Sequence, residues 1–153
     1  MTMRELTELE TMNVEFLSDK EIPFTTVLLT ENILNHSIFD ATRQMVVFLK
    51  AQSIHDYAQQ EKGKDNRKFV PTHILTFKEE ISSRSSLYKA GTRGDKRMWF
   101  GAEILPVVDD NNMVAVIAHD GELFVINVSK IDLEYCYSTG TDNPIKKIIK
   151  TIL

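Results

Sequence analysis

The clearest pattern in the chain is a pair of apolar runs, Met113–Ala118 and Leu123–Val128, separated by His119-Asp120-Gly121-Glu122. Asp-Gly between two runs rich in β-branched residues predicts two antiparallel strands joined by a tight turn. Phe24–Thr30, following Pro23, reads as another strand, as does the short run Val14–Leu17. Thr30 is placed to cap a two-turn helix over Glu31–Phe39, with Ile33, Leu34 and Ile38 on one face and Glu31 at the electropositive helix start. Met45–Leu49 is continuously apolar but too short to demand a helix, and is read as a buried strand. Ile54–Gln60 fits one or two helical turns. Pro71–Phe77 begins a strand, Glu79–Ser86 is polar and serine-rich, and Phe100–Val108 reads as a strand bent near Pro106. Cys136, between two tyrosines, is expected on the apolar face of a strand.

Asn143-Pro144 opens a terminal helix over 143–153, where Ile145, Ile148, Ile149 and Ile152 form one stripe and Lys146, Lys147 and Lys150 take the remaining positions. At the other end, residues 1–12 carry good helix formers with Leu6 and Leu9 three apart, which predicts a short acidic helix or arm. Short, closely spaced strands with no repeat and no long linker predict one α+β domain over 1–153: a mostly antiparallel sheet or small pseudobarrel with a few short helices and a C-terminal helix.

The length of 153 residues suits a single core. No apolar run approaches the roughly 20 residues a membrane-spanning helix requires, and acidic residues soon after Met1 are unlike a secretory signal, so a cytoplasmic setting is expected. The single cysteine fits a reducing compartment. His36, His55, His73 and His119 are scattered with no paired spacing, so no metal or cofactor is implied. Neither a Gly-x-Ser-x-Gly elbow nor a phosphate loop is present, and no residue is singled out as catalytic. Asp109, Asp110, Asp120 and Glu122 sit in turns and lack the lysine that would complete an Asp…Glu-x-Lys nuclease core; Glu103 is expected on the solvent side of its strand.

Charge changes the picture more than composition does. The net charge is −4, yet residues 1–24 alone hold six acids against two bases, while residues 84–99 hold five bases against one acid. Arg84, Lys89, Arg93, Lys96 and Arg97 lie on a segment with Gly91, Gly94 and Gly101 nearby, a composition suited to close backbone approach and to phosphate neutralisation. Tyr88 and Trp99 are candidates for stacking on a base, although Trp99, at a strand start, also suits the core. The polar loop Glu61–Lys68, with Lys62, Lys64, Arg67 and Lys68, is a second basic stretch and is expected to be a mobile surface loop.

The run Leu87–Phe100, followed by the hairpin ending Gly121–Asn127, resembles DNA-recognition modules of bacterial restriction systems, with the EcoRII-like N-terminal pseudobarrel the nearest fold. The resemblance covers about a third of the chain. It implies short strands with a few helices, DNA gripped by two basic arms, one of them the loop at Lys62, Lys64, Arg67 and Lys68, and cleavage supplied by a partner nuclease or fused domain. The leading expectation is a non-catalytic DNA-binding module of a restriction or defence system. Two alternatives stand beside it: an interaction or inhibitor module docking through its acidic N-terminal segment, and a small metal-dependent nuclease using Asp109, Asp120 or Glu122.

Overall fold

The computed structural model describes residues 4–153. Seven strands form one curled mixed sheet: β1 (Phe24–Leu29), β2 (Phe39–Asp40), β3 (Lys68–Leu75), β4 (Glu80–Lys89), β5 (Lys96–Trp99), β6 (Asn112–His119) and β7 (Glu122–Asn127). Their spatial order is β1-β6-β7-β3-β4-β5-β2. Every neighbouring pair is antiparallel except β3 and β7, which run parallel over Thr72–Leu75 and Leu123–Ile126. Five helices accompany them: α1 (Glu8–Asp19), α2 (Glu31–His36), α3 (Arg43–Ala51), α4 (Leu133–Ser138) and α5 (Pro144–Ile152). The fold is α+β with a barrel-like sheet and a C-terminal helix. No helix among the described residues is long and apolar enough to cross a membrane.

Strand alternation divides the core in two. On the concave face Val70, Ile74, Leu87, Met98, Val116 and Val125 pack with Met45 and Leu49 of α3, Tyr57 and Ile104. On the opposite face Leu75, Ala115, Ile117, Phe124 and Ile126 are covered by Leu17 of α1, Leu133 and Cys136 of α4, and Ile145, Ile148 and Ile149 of α5. Those helices cover the β1-β6-β7 half. The outward residues of the other half, including Phe69, Pro71, Ser82 and Arg84, are exposed.

Several elements differ from expectation. Val14–Leu17 lies inside α1, and the expected helix over 1–12 has its first helical residue at Glu8, its first three residues lying outside the described range. The inward positions of α1 are Glu10, Asn13 and Leu17, so two polar residues hide its helical period. Met45–Leu49 is helical because Thr42 caps the segment and Met45 and Leu49, four apart, are the buried pair. Cys136 is buried on helix α4, capped by Asp132, rather than on a strand. After Trp99, Gly101 at φ 92 turns the chain and Ala102–Val107, containing Pro106, forms a 3-10 helix in place of the expected strand. The serine-rich stretch is strand β4, where buried Ser85 and Thr72 share a 2.6 Å hydrogen bond between hydroxyls. The hairpin turn is as expected, Asp120 and Gly121 both taking positive φ.

Buried polar groups fix α1. Asn13 Nδ2 donates to the carbonyls of Val128 and Ile131, and Asn13 Oδ1 accepts from Leu133 N. Glu10, 1% exposed, receives Arg4 in a fork at 2.7 and 2.8 Å, the Ser129 hydroxyl, and the Thr7 N–H of a capping box. The Arg4 guanidinium, opposed by burial and assisted by Ser129, brings the Glu10 carboxyl down to about 2 from 4.5. A carboxylate whose folded pKa is depressed stabilises the fold above its unfolded pKa and loses that contribution as pH falls through the folded value. Acid titration of Tm is therefore expected to show a loss between pH 4.5 and about 2, on the order of 3 kcal/mol, and Glu10→Gln should remove most of that pH dependence while lowering stability at neutral pH; an unchanged acid limb in the variant would assign the loss to other carboxylates.

Candidate nucleic-acid interface

The two basic stretches, separate in sequence, meet at one end of the sheet. Gly63 N donates to Lys89 O at 2.7 Å, and Gln60 Nε2 donates to Leu87 O at 2.8 Å and Asn66 O at 3.0 Å, binding the 60–67 loop to the β4–β5 hairpin. Lys62 pairs with Lys89 in an isolated parallel bridge, and its Cε lies 3.1 Å from where a Cβ at Gly94 would stand. Lys68 sits opposite Leu87 and donates to the Ile54 carbonyl. Lys89 and Lys96 face each other across the ladder. The loop contains a 3-10 turn at Lys64–Asn66.

Nine cations thus share this end: Lys62, Lys64, Arg67, Lys68, Arg84, Lys89, Arg93, Lys96 and Arg97. Only two have a carboxylate partner within 4.0 Å among the described residues. Arg93 meets Asp95 at 3.2 Å, and Arg97 meets Asp40 and Asp95 at 3.5 Å each. Arg97 links β2 to β5, and its carbonyl accepts from Tyr57 Oη at 2.9 Å, so it belongs to the frame. Burial pushes the Tyr57 phenol upward, which keeps it a donor. The other seven cations offer charge not already neutralised within the protein.

Tyr88 is 6% exposed and Trp99 8%, so neither has a ring face free for stacking as the sequence suggested. The exposed aromatic is Phe69, at 43%, with the Arg84 guanidinium 4.0 Å and that of Arg67 5.8 Å from its ring centroid. Phe69 escapes sequence reasoning because it precedes Val70-Pro71 and reads as a core residue. Its pairing with Ser86 on the uncovered face gives it away only once register is known.

The residues of the other two readings are also placed. Of the six acids before Phe24, Glu10 is spent internally, while Glu5, Glu8, Glu15, Asp19 and Glu21 are exposed. Asp109 pairs with Lys130, Asp120 lies 3.4 Å from His119, and Glu122 lies 2.9 Å from His73, which also meets Glu80 at 3.2 Å, so the three acids stand beside three different basic side chains. No three His, Cys, Asp or Glu side chains gather into a metal-binding group among the described residues.

No family profile matches the sequence, and neither the curated proteins nor the solved structures contain a significant match to it.

Gly101 sets the border of this region. At φ 92, a Cβ there would lie 2.3 Å from Ser83 Oγ and 2.9 Å from the Arg84 carbonyl. Gly101→Ala is expected to cost about 2–3 kcal/mol through strained backbone and displaced β4, measured by denaturant unfolding; a loss no larger than for an exposed Ala substitution would show that β4 yields easily.

Proposed function

We propose that the chain is a non-catalytic DNA-binding module whose basic end neutralises backbone phosphates. The observation that supports this most is the gathering of seven cations without a carboxylate partner among the described residues, in a protein of net charge −4. Directly opposed like charges such as Lys89 and Lys96 weaken a sheet. A phosphate between them turns that repulsion into attraction, so their placement favours an anionic partner. The cost in the unbound state is small, because both are partly or fully solvated.

The loop and hairpin are joined by hydrogen bonds, so they would meet DNA as one ridge rather than as two arms closing from opposite sides. Such a ridge supplies sequence-independent affinity. A role in a restriction or defence system, with a nuclease partner or fused domain, comes from the resemblance alone. Arg97, held by Asp40 and Asp95, serves the fold in this reading and Arg93 is half-neutralised, which transfers the contacts to the other seven, Lys62, Lys64, Arg67, Lys68, Arg84, Lys89 and Lys96.

Fluorescence anisotropy with a labelled duplex across a salt series tests the proposal. Each phosphate neutralised contributes about −0.9 to the log–log slope, so Lys62→Ala/Lys89→Ala/Lys96→Ala should reduce the slope by about 2–3 with Tm unchanged or raised. Arg97→Ala should instead lower Tm by about 3 °C with a near-normal slope. No binding at low salt, or a triple variant with the parental slope, overturns the reading.

A further inference from the structure

The uncovered half of the sheet carries a groove of about 500 Å³ beside the basic ridge. That lies within the roughly 300–1,000 Å³ of small-ligand sites. Arg67, Phe69 and Arg84 contribute from β3, β4 and the preceding loop; Ser86 and its cross-strand partner Trp99 contribute from β4 and β5; Glu103 comes from the 3-10 helix. Arg84, lying on Phe69, presents a braced guanidinium plane. The Glu103 carboxylate is fixed as well. Its Oε1 is 2.6 Å from the Ser83 hydroxyl, which also lies 2.8 Å from the Phe100 carbonyl.

The close approach of Ser83 and Glu103 depends on Gly101, whose missing Cβ would stand 2.9 Å from Glu103 Oε1. The Ser83 hydroxyl, with the Glu103 backbone and Arg84 adding to it, holds the carboxyl below its usual range, so it is an acceptor at neutral pH. Two guanidinium groups against one carboxylate leave the groove with one positive charge, the complement of a phosphodiester.

We propose that this groove binds a guanine nucleotide, with Glu103 accepting from the base, Arg84 stacked on it, and Arg67 directed to its phosphate. A carboxylate accepts and cannot donate. Guanine alone among the common bases offers two adjacent donors, N1–H and the N2 amine, on its Watson–Crick edge. Adenine and cytosine place an acceptor nitrogen beside their single amine, and thymine flanks its N3–H with two carbonyls. Stacking on an arginine plane or an aromatic ring is a general way to hold an unpaired base. The inference deepens the reading of this end of the molecule as a nucleic-acid surface. The same chemistry would suit a free nucleotide or an unpaired guanosine in a strand.

Trp99, the only tryptophan in the chain, lines the groove and reports its occupancy by fluorescence. Titration with GMP should give a saturable change, confirmed by calorimetry, and AMP and CMP should bind at least about tenfold more weakly. Glu103→Ala, at an exposed position, should abolish that preference without loss of folding, and Arg84→Ala should weaken all three nucleotides. Tighter binding of the pentamer d(TTGTT) than of GMP assigns the site to a strand, and the reverse order to a free nucleotide; d(TTATT) should be weaker than d(TTGTT) in either case. The absence of a saturable response to GMP, equal binding of GMP and AMP, or an unaltered preference in Glu103→Ala overturns the proposal. GMP carries no duplex, so the triple-lysine variant should still bind it. Failure of the ridge in the salt series and failure of the groove here are thus read separately.

Discussion

The seven strands are two antiparallel groups, β1-β6-β7 and β3-β4-β5-β2, and the parallel contact between β3 and β7 is what makes them one sheet. Both apolar clusters cross that seam. Ile74 opposes Val125 on the concave side, and Leu75 opposes Ile126 on the other. Parallel pairing brings together segments some fifty residues apart and demands that both faces be shielded near the junction. α5 and α4 shield the outer side there through Ile145, Ile148, Ile149 and Leu133. Beyond His73, which stacks on Phe124, the shielding stops.

That boundary explains why polar chemistry gathers where it does. A sheet half with no helix over it tolerates Arg84, Ser82 and Ser86 and exposes Phe69, which the covered half does not. The same end of the sheet receives the 60–67 loop, because Gln60 and Gly63 satisfy main-chain groups of β4 that would otherwise face solvent. Charge then accumulates from two distant stretches of sequence. The acids available to offset it are few, and Asp95 and Asp40 are committed to Arg93 and Arg97.

Much of the scaffold was legible in the sequence. The β6–β7 hairpin declares itself through Asp120-Gly121 and unbroken β-branched runs, α5 through Asn143-Pro144 and its isoleucine stripe, and α2 through the Thr30 cap. The misread elements have identifiable physical causes. In α1 two of the three inward positions, Glu10 and Asn13, are polar and have the distant partners Val128, Ile131 and Ser129, so periodicity of apolar residues carries little signal. In α3 the apolar run coincides with the helix centre, and only its cap at Thr42 and the polar residues around it reveal the helix. Of the candidate interface, the basic content was visible but its neutralisation was not: Arg97 and Lys89 look equivalent in sequence, and only the register of β2 against β5 shows that one is tied to Asp40. Phe69 was invisible for the same reason, since exposure on a strand is a property of the neighbouring layer.

Cys136 is 2% exposed between α1, α5 and the sheet, and burial raises its thiol pKa further from neutrality. A reagent can reach this sulfur only when the cover of isoleucines lifts away. Its modification rate then follows the equilibrium constant of that local opening, with the exposed thiol reacting as an ordinary one once the cover is off. The lone thiol is in effect a clock for the breathing of the helical layer, which shares the outward face of the sheet with Arg84 but covers its other half.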